Sequence, residues 1–243
     1  MKFAIIAAGE GSRLAREGIE TPKPLVKIGG EHLIDRLIRI FLDNGADEIV
    51  VVCNGHTPLL AQHLADIQRQ GLSGREVPLR YKVRTTPSSM HSFYELIPWL
   101  SDDPFVLTTV DTVFDEQEFR RYVSDFKRIG ADGLMGVTDY VDDERPLYVG
   151  TDVAGSITGF YDSVSDAPDL HYVSGGIYGL TPRSLSVLQR CVKRGEMRMR
   201  NFQRALIAEH LHLVAWPFGR VLDVDHAADV AKAESMLNYH VTK

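Results

Sequence analysis

The sequence predicts an α/β protein built on a mostly parallel sheet, and three observations carry that prediction. Apolar, β-branched runs alternate with amphipathic stretches through the first half of the chain, the first run ends in a glycine-punctuated turn, and residues 139–172 break into short, turn-rich segments. Phe3-Ala4-Ile5-Ile6-Ala7-Ala8 is short and wholly apolar, which fits a strand covered on both faces. Leu33, Ile34, Leu37, Ile38, Phe41 and Leu42 recur at three- and four-residue spacing, predicting a helix over 31–44 that Asn44-Gly45 ends. Glu48-Ile49-Val50-Val51-Val52-Cys53 is a second buried strand. Two such strands joined through a helix pair in parallel by a right-handed crossover. Ligands of these sheets sit beyond the carboxyl ends of the strands.

The remaining elements follow in order. Residues 58–70 read as a helix, 79–83 as a strand, and Thr85 to Ser92 as a polar loop before a helix over 93–100. Phe105 to Val110 is another buried strand with Asp111 at its carboxyl end, followed by a helix over 116–128 and a strand over 133–138. Residues 147–153 and 156–161 form short antiparallel strands about Gly155, and 172–180 is a strand carrying Gly175-Gly176. Thr181-Pro182-Arg183 opens a helix, since proline suits the first helical position. Residues 214–218 and 220–222 are short strands, and a last helix runs to 238.

Composition narrows the function. The 243 residues are 44% hydrophobic, enough for one sizeable α/β domain. A net charge of −6 argues against general nucleic-acid binding, which wants a basic face. No apolar run approaches the ~20 residues of a membrane helix, and the chain starts as a strand without a cleavable apolar leader. Cys53 and Cys191 lack metal or redox spacing. The expectation is a cytoplasmic protein with no membrane or nucleic-acid partner; an oligomer is compatible with everything in the sequence.

The chemistry concentrates near the start. Gly9-Glu10-Gly11-Ser12-Arg13 follows the first strand, and Thr21-Pro22-Lys23-Pro24-Leu25 comes shortly after. Glycine lets backbone approach a ligand, and N–H groups gathered at a turn favour an anion. Arg13 and Lys23 add fixed positive charge, one as a planar fork and one as a point. A lone G-x-G is often only a tight turn. Leu14 breaks the dinucleotide fingerprint, and the Walker pattern is absent. The combination of strand, A-A-G-x-G-x-R and P-K-P-L favours a phosphate ligand.

That combination, Ala7-Ala8-Gly9-Glu10-Gly11-Ser12-Arg13 with Pro22-Lys23-Pro24-Leu25, resembles the nucleotidyltransferase superfamily of sugar-phosphate nucleotidylyltransferases and MobA-like NTP transferases. The resemblance implies a three-layer α/β/α Rossmann-like sheet with a small antiparallel elaboration on the acceptor side. It implies one domain over 1–243, with the nucleotide-binding part about 1–138 and the acceptor-binding part about 139–220. Ala7, Ala8, Gly9, Gly11, Ser12 and Arg13 would wrap a nucleoside triphosphate, and Arg13 and Lys23 would act on its phosphates. Ser88, Ser89 and Ser92 fall where relatives contact base and ribose, although hydroxyls there also serve as helix caps. Asp111 falls where the family holds Mg²⁺ (or Mn²⁺). Asp225, with Asp223 as second choice, matches the family's second metal ligand. Asp162 and the Gly175-Gly176 pair fall at the acceptor; a glycine bulge is the plain alternative for the pair.

The implied reaction is transfer of a nucleoside monophosphate to a phosphorylated acceptor, a sugar 1-phosphate first among candidates, with release of pyrophosphate. A cytidylyltransferase for a small alcohol phosphate or phosphonate, and a non-catalytic nucleotide-binding member, are the alternatives. Retention of Arg13, Lys23, Asp111 and Asp225 argues against the last.

Overall fold

The architecture comes from a computed structural model that describes the chain except residues 10, 57, 143, 167–170 and 242–243, with no side chain described beyond 237. The first half runs β1 (Lys2–Ala7), α1 (Ser12–Arg16), β2 (Lys27–Ile28), β3 (Glu31–His32), α2 (Leu33–Asp43), β4 (Glu48–Cys53), α3 (Pro58–Gln70), β5 (Leu79–Val83), α4 (Ser89–Tyr94), α5 (Ile97–Leu100) and β6 (Phe105–Thr109). The second half runs β7 (Thr112–Phe114), α6 (Glu116–Phe126), β8 (Gly133–Thr138), β9 (Tyr148–Thr151), β10 (Ile157–Tyr161), β11 (Tyr172–Leu180), α7 (Arg183–Lys193), α8 (Met199–Ala208), β12 (Leu213–Phe218), β13 (Val221–Asp223) and α9 (Ala227–Val241).

β1 lies at the centre of a nine-stranded sheet ordered β10-β9-β11-β6-β1-β4-β5, with β8 joining β11 to β12. It pairs in parallel with β4, from Lys2↔Glu48 to Ala7↔Cys53, and in parallel with β6 on its other side. β11 runs antiparallel to β6, β8 and β9 and so carries the switch from the parallel half to the mixed half. The expected architecture is therefore present, antiparallel elaboration included.

Alternation along β1 explains the three layers. Phe3 and Ile5 face α2 and α6, where Phe3 stacks on Phe41 at 4.6 Å and Phe114 stacks on Phe119 at 4.7 Å. Ala4 and Ile6 face the opposite layer, built from α4, α7 and α8 around Phe93, Leu188 and Phe202. No helix among the described residues is long and apolar enough to cross a membrane.

β7 and α8 were not expected, several ends move by a few residues, and two boundaries differ for a clear local reason. The helix expected over 31–44 begins at Leu33, because Glu31 and His32 pair back onto Lys27 and Ile28. Gly29 and Gly30 hold φ of 58° and 86° in that two-residue hairpin turn, a conformation that favours glycine at both places. The helix expected over 93–100 is instead two short helices, starting at Ser89 and separated before Ile97. Pro98 has no N–H to continue a helical ladder back to Tyr94.

One buried cation ties the α2 layer to the strand pair behind the cleft. Arg36, 4% exposed, donates to the Phe114 carbonyl at 2.9 Å and lies 3.3 Å from Glu116. Arg39 grips the same carboxylate through two bonds of 2.9 Å. The hydrogen bonds from Arg39, with the charge of Arg36, outweigh partial burial and hold Glu116 below the ordinary glutamate range. A depressed carboxyl pKa contributes stability that is complete above the unfolded value of about 4.3 and is lost as pH falls through the folded value. Glu116→Gln is expected to lower unfolding free energy by about 1 kcal/mol at pH 7, screening limiting the effect at this partly exposed site. The two proteins should converge in acid, as measured by urea denaturation at a series of pH values.

Candidate active site

The site forms at the carboxyl ends of β1 and β6. β1 ends at Ala7, and the chain turns through Ala8-Gly9 into Gly11, whose φ is 61°. A Cβ on Gly11 would lie 3.1 Å from the Lys23 Cβ, so glycine here lets the lysine segment press against the loop. Leu14, which breaks the dinucleotide pattern, is 1% exposed and anchors α1 to the core. Asn54, just past β4, donates to the carbonyls of Ala8 at 3.3 Å and Gly9 at 3.1 Å, bracing the loop from below.

Lys23 sits in a single 3₁₀ turn between Pro22 and Pro24. Its ammonium, 9% exposed, donates to Asp111 and, at 2.6 Å, to Asp225 Oδ1. Arg13 Nη1 takes the other Asp225 oxygen at 2.6 Å. Four residues spread over 212 positions of sequence thus meet in one ion cluster.

Two features hold the acidic side in place. Asp111 follows β6, and its carbonyl accepts from Val224 N at 3.1 Å, which draws the tail strand over the cleft. Asp223 ends β13 opposite Thr112 and accepts from its hydroxyl at 3.0 Å. Asp229, not Asp225, caps the last helix: its Oδ2 accepts from the backbone N–H of Asp225 at 3.2 Å and of His226 at 2.8 Å. Asp225 is thereby left to face Lys23 and Arg13. Glu17 completes the link by accepting from Ala227 N at 2.7 Å and pairing with His226 at 2.6 Å.

Electrostatics follow from this crowding. Burial alone would depress the Lys23 ammonium, but Asp111 and Asp225 hold it above its ordinary value. Burial alone would raise Asp111, yet the charge and hydrogen bond of Lys23, with a bond from Thr109, keep it below the usual carboxylate range. Asp223 goes the other way. Its side chain keeps a solvent-exposed face, while the protein behind the carboxyl and the like charge of Asp111 push it up to about 7. Asp111, Asp223 and Asp225 offer only oxygen donors, which suits a hard divalent cation, but they do not gather one oxygen each within 4.8 Å of one another, so an ion would have to draw them together. The repulsion that raises Asp223 is what it would relieve.

Two clefts share this cluster. One, of about 590 Å³, is lined by Ala8, Gly9, Gly11, Ser12, Arg13, Lys23, Thr86, Ser88, Ser89, Ser92, Thr109 and Asp111. The other, of about 340 Å³, is lined by Tyr140, Asp142, Glu144, Ser174, Gly175, Asp223, His226, Asp229 and Lys232. Arg13 and Asp225 line both.

Other expected residues are placed differently. Ala7 is buried as the last residue of β1 and lines neither cleft. Ser92 is 2% exposed and bonded to the Thr86 hydroxyl at 2.6 Å, so it braces the cleft wall. Ser88 makes no side-chain cap; its hydroxyl meets His91 Nδ1 at 2.9 Å. Asp162 lines neither cleft but pairs with Arg200 and, at 2.8 Å, with Arg204. Gly176 has φ of 70° where the β11–β8 register shifts, so the pair does form a bulge, with Gly175 opening on the smaller cleft. Asn54, Glu17, Thr86, Thr109, Thr112 and Asp229 were not among the residues singled out from the sequence. Asn54, Asp229, Thr109 and Thr112 are short polar residues at or beside an element's end, a weak signal; Glu17 and Thr86 carried none.

This fold with this cluster defines a nucleotidyltransferase. The sequence profile of the MobA-like NTP transferase domain matches residues 3–209, and the chain belongs to that family. It is 24% identical to the UTP–glucose-1-phosphate uridylyltransferase AglF of Haloferax volcanii, across 100% of this chain and 99% of that one. A putative glucose-1-phosphate thymidylyltransferase from Bacillus anthracis superposes with a TM-score of 0.82 at 20% identity, over 97% of this chain and 94% of the other. The inositol-1-phosphate CTP transferase of T. maritima gives 0.77 at 19%, over 98% and 96%. At these identities the two structures speak for the fold.

A carboxyl pKa raised by folding means that the native state holds more protons, so stability falls as pH rises from about 4 toward the folded value. Asp223→Asn is expected to remove that loss. In chelator, its urea midpoint should exceed that of the parent at pH 7.5 and approach it at pH 4.5.

Proposed function

We propose that this protein transfers a nucleoside monophosphate from a nucleoside triphosphate to a phosphorylated small molecule, a sugar 1-phosphate first among candidates. The observation that supports this most is the meeting of Arg13, Lys23, Asp111 and Asp225 where two clefts join. The larger cleft, walled by the glycine loop and the Ser88-Ser89 turn, would take the triphosphate. The smaller would take the acceptor. On this reading one domain divides into a nucleotide part over about 1–138 and an acceptor part over about 139–220, with residues 221–232 closing the acceptor cleft. A sugar 1-phosphate is favoured because the AglF relative, a glucose-1-phosphate uridylyltransferase, aligns along its whole length.

The acceptor phosphate is already ionised at neutral pH, so no side chain has to remove a proton. Its oxygen attacks the α-phosphorus in line, the bond to the bridging oxygen breaks, and pyrophosphate departs with that electron pair. Arg13 and Lys23 would exchange carboxylate partners for phosphate oxygens and neutralise the charge that spreads over the α-phosphoryl and the leaving group. Asn54 ties back the carbonyls of Ala8 and Gly9, which would favour turning the opposite side of the loop toward the triphosphate. Asp111 and Asp225, with Asp223 behind them, would hold a divalent metal ion, Mg²⁺ or Mn²⁺, whose charge would offset that of the triphosphate.

A second reading rests on charge. Asp142, Glu144, Asp223 and Asp229 crowd the smaller cleft, and its one lysine, Lys232, is already paired with Asp142 at 2.8 Å and Asp229 at 3.1 Å. That lining would favour an alcohol phosphate or phosphonate bearing an amine.

Screening the four triphosphates for pyrophosphate release against sugar 1-phosphates, alcohol phosphates and aminoalkyl phosphonates tests both readings. Release with none of them would sink the proposal. With the productive pair, Lys23→Ala is expected to lower kcat by about 10²–10³, and an unchanged kcat would remove Lys23 from the mechanism. Asp111→Asn should abolish the metal dependence of triphosphate binding, read by calorimetry with and without Mg²⁺.

A further inference from the structure

Outside both clefts, the structure gathers a second set of metal-ligating side chains. His32 ends β3, Asp35 lies in the first turn of α2, and His63 projects from α3. His32 Nδ1 is 2.9 Å from Asp35 Oδ2, and His63 Nε2 is 2.6 Å from Asp35 Oδ1. All three donor atoms lie within 4.8 Å of one another. The imidazole rings stand at 87° with centroids 5.2 Å apart, so their edges converge on the carboxylate. Side-chain exposures of 27%, 13% and 26% leave the group open to water on one side while packing restrains its rotamers.

We propose that His32, Asp35 and His63 bind a divalent transition-metal ion of the Zn²⁺ class, with water completing the coordination. Two imidazoles and a carboxylate suit Zn²⁺, Co²⁺ or Ni²⁺ and are a poor set for Mg²⁺, which prefers oxygen ligands. A tetrahedral ion about 2.0 Å from each donor spaces the donors by about 3.3 Å. The His32 and His63 nitrogens lie 2.9 Å and 2.6 Å from different oxygens of Asp35, and one donor atom from each residue falls within 4.8 Å of the others. Turning the carboxylate to offer one oxygen to both imidazoles, with loss of the two hydrogen-bonded protons, would let one ion enter between them. The three ligands come from a hairpin strand and two helices, elements that hold a coordination geometry better than loops do. The ion would clamp α3 to α2 and to the hairpin that follows the lysine turn, where Leu33 N donates to the Val26 carbonyl at 3.0 Å. It would be a structural ion, distinct from any ion at the three aspartates.

Titrating the chelator-stripped full-length protein with Co²⁺, and then displacing it with Zn²⁺, tests this. The expected result is one equivalent giving the visible absorption of a four- or five-coordinate, nitrogen-ligated ion, lost on adding Zn²⁺, with Zn²⁺ raising Tm by several degrees. His63→Gln and His32→Gln should each weaken Co²⁺ binding by about tenfold or more, and Asp223→Asn should leave the spectrum unchanged. Asp35→Asn, which keeps the size of the side chain and a hydrogen bond, serves if a histidine variant fails to fold and should also lose the spectrum. Absence of that absorption in the parent protein, or a spectrum indifferent to both His63→Gln and Asp35→Asn, overturns the proposal.

Discussion

Lys23 is the interaction on which the rest of this architecture depends. Its ammonium is almost wholly withdrawn from water, a costly placement unless the charge is paired. Two carboxylates pair it, and they come from the end of a central strand and from the turn before the last helix. Three distant parts of the chain therefore share one cation. Removing it would leave Asp111 beside Asp223 without its cation and Asp225 with Arg13 alone, which is why the cluster favours a cationic occupant or an incoming phosphate that redistributes its partners.

Around that cation, the cleft is shaped mainly by backbone support. Gly11 lets the lysine turn approach within van der Waals distance of the loop, and Asn54 pins the loop carbonyls from the end of the neighbouring strand. Asp229 takes over the capping of the last helix, and Glu17 ties that helix back to α1. These hydrogen bonds set where the carboxylates and cations of the cleft point.

How much of this was legible beforehand depended on whether a residue acts through local or distant partners. The parallel core was readable because β1, β4 and β6 are continuous apolar runs, and continuous runs are what strands covered on both faces require. Lys23 and Arg13 stood out through the glycine turn and the proline-flanked lysine, Asp111 and Asp225 only through what the family resemblance implied, and the four do come together. Asp162 is paired with Arg200 and Arg204 on α8, about forty residues further along the chain, partners that no local pattern announces. Thr109 and Thr112 were hard to read for the same reason. Their value lies in a 2.6 Å bond across a tight turn and in an Asp223 partner 111 residues away, neither of which leaves a periodic trace.

The most direct test of the central claim is a double-mutant cycle between Lys23→Met and Asp225→Asn, scored by unfolding free energy in urea without metal or nucleotide. A shared buried charge predicts strong non-additivity, with a coupling of about 1–3 kcal/mol. If the two substitutions simply add, the lysine does not hold the tail of the chain to its beginning, and the account of this site fails.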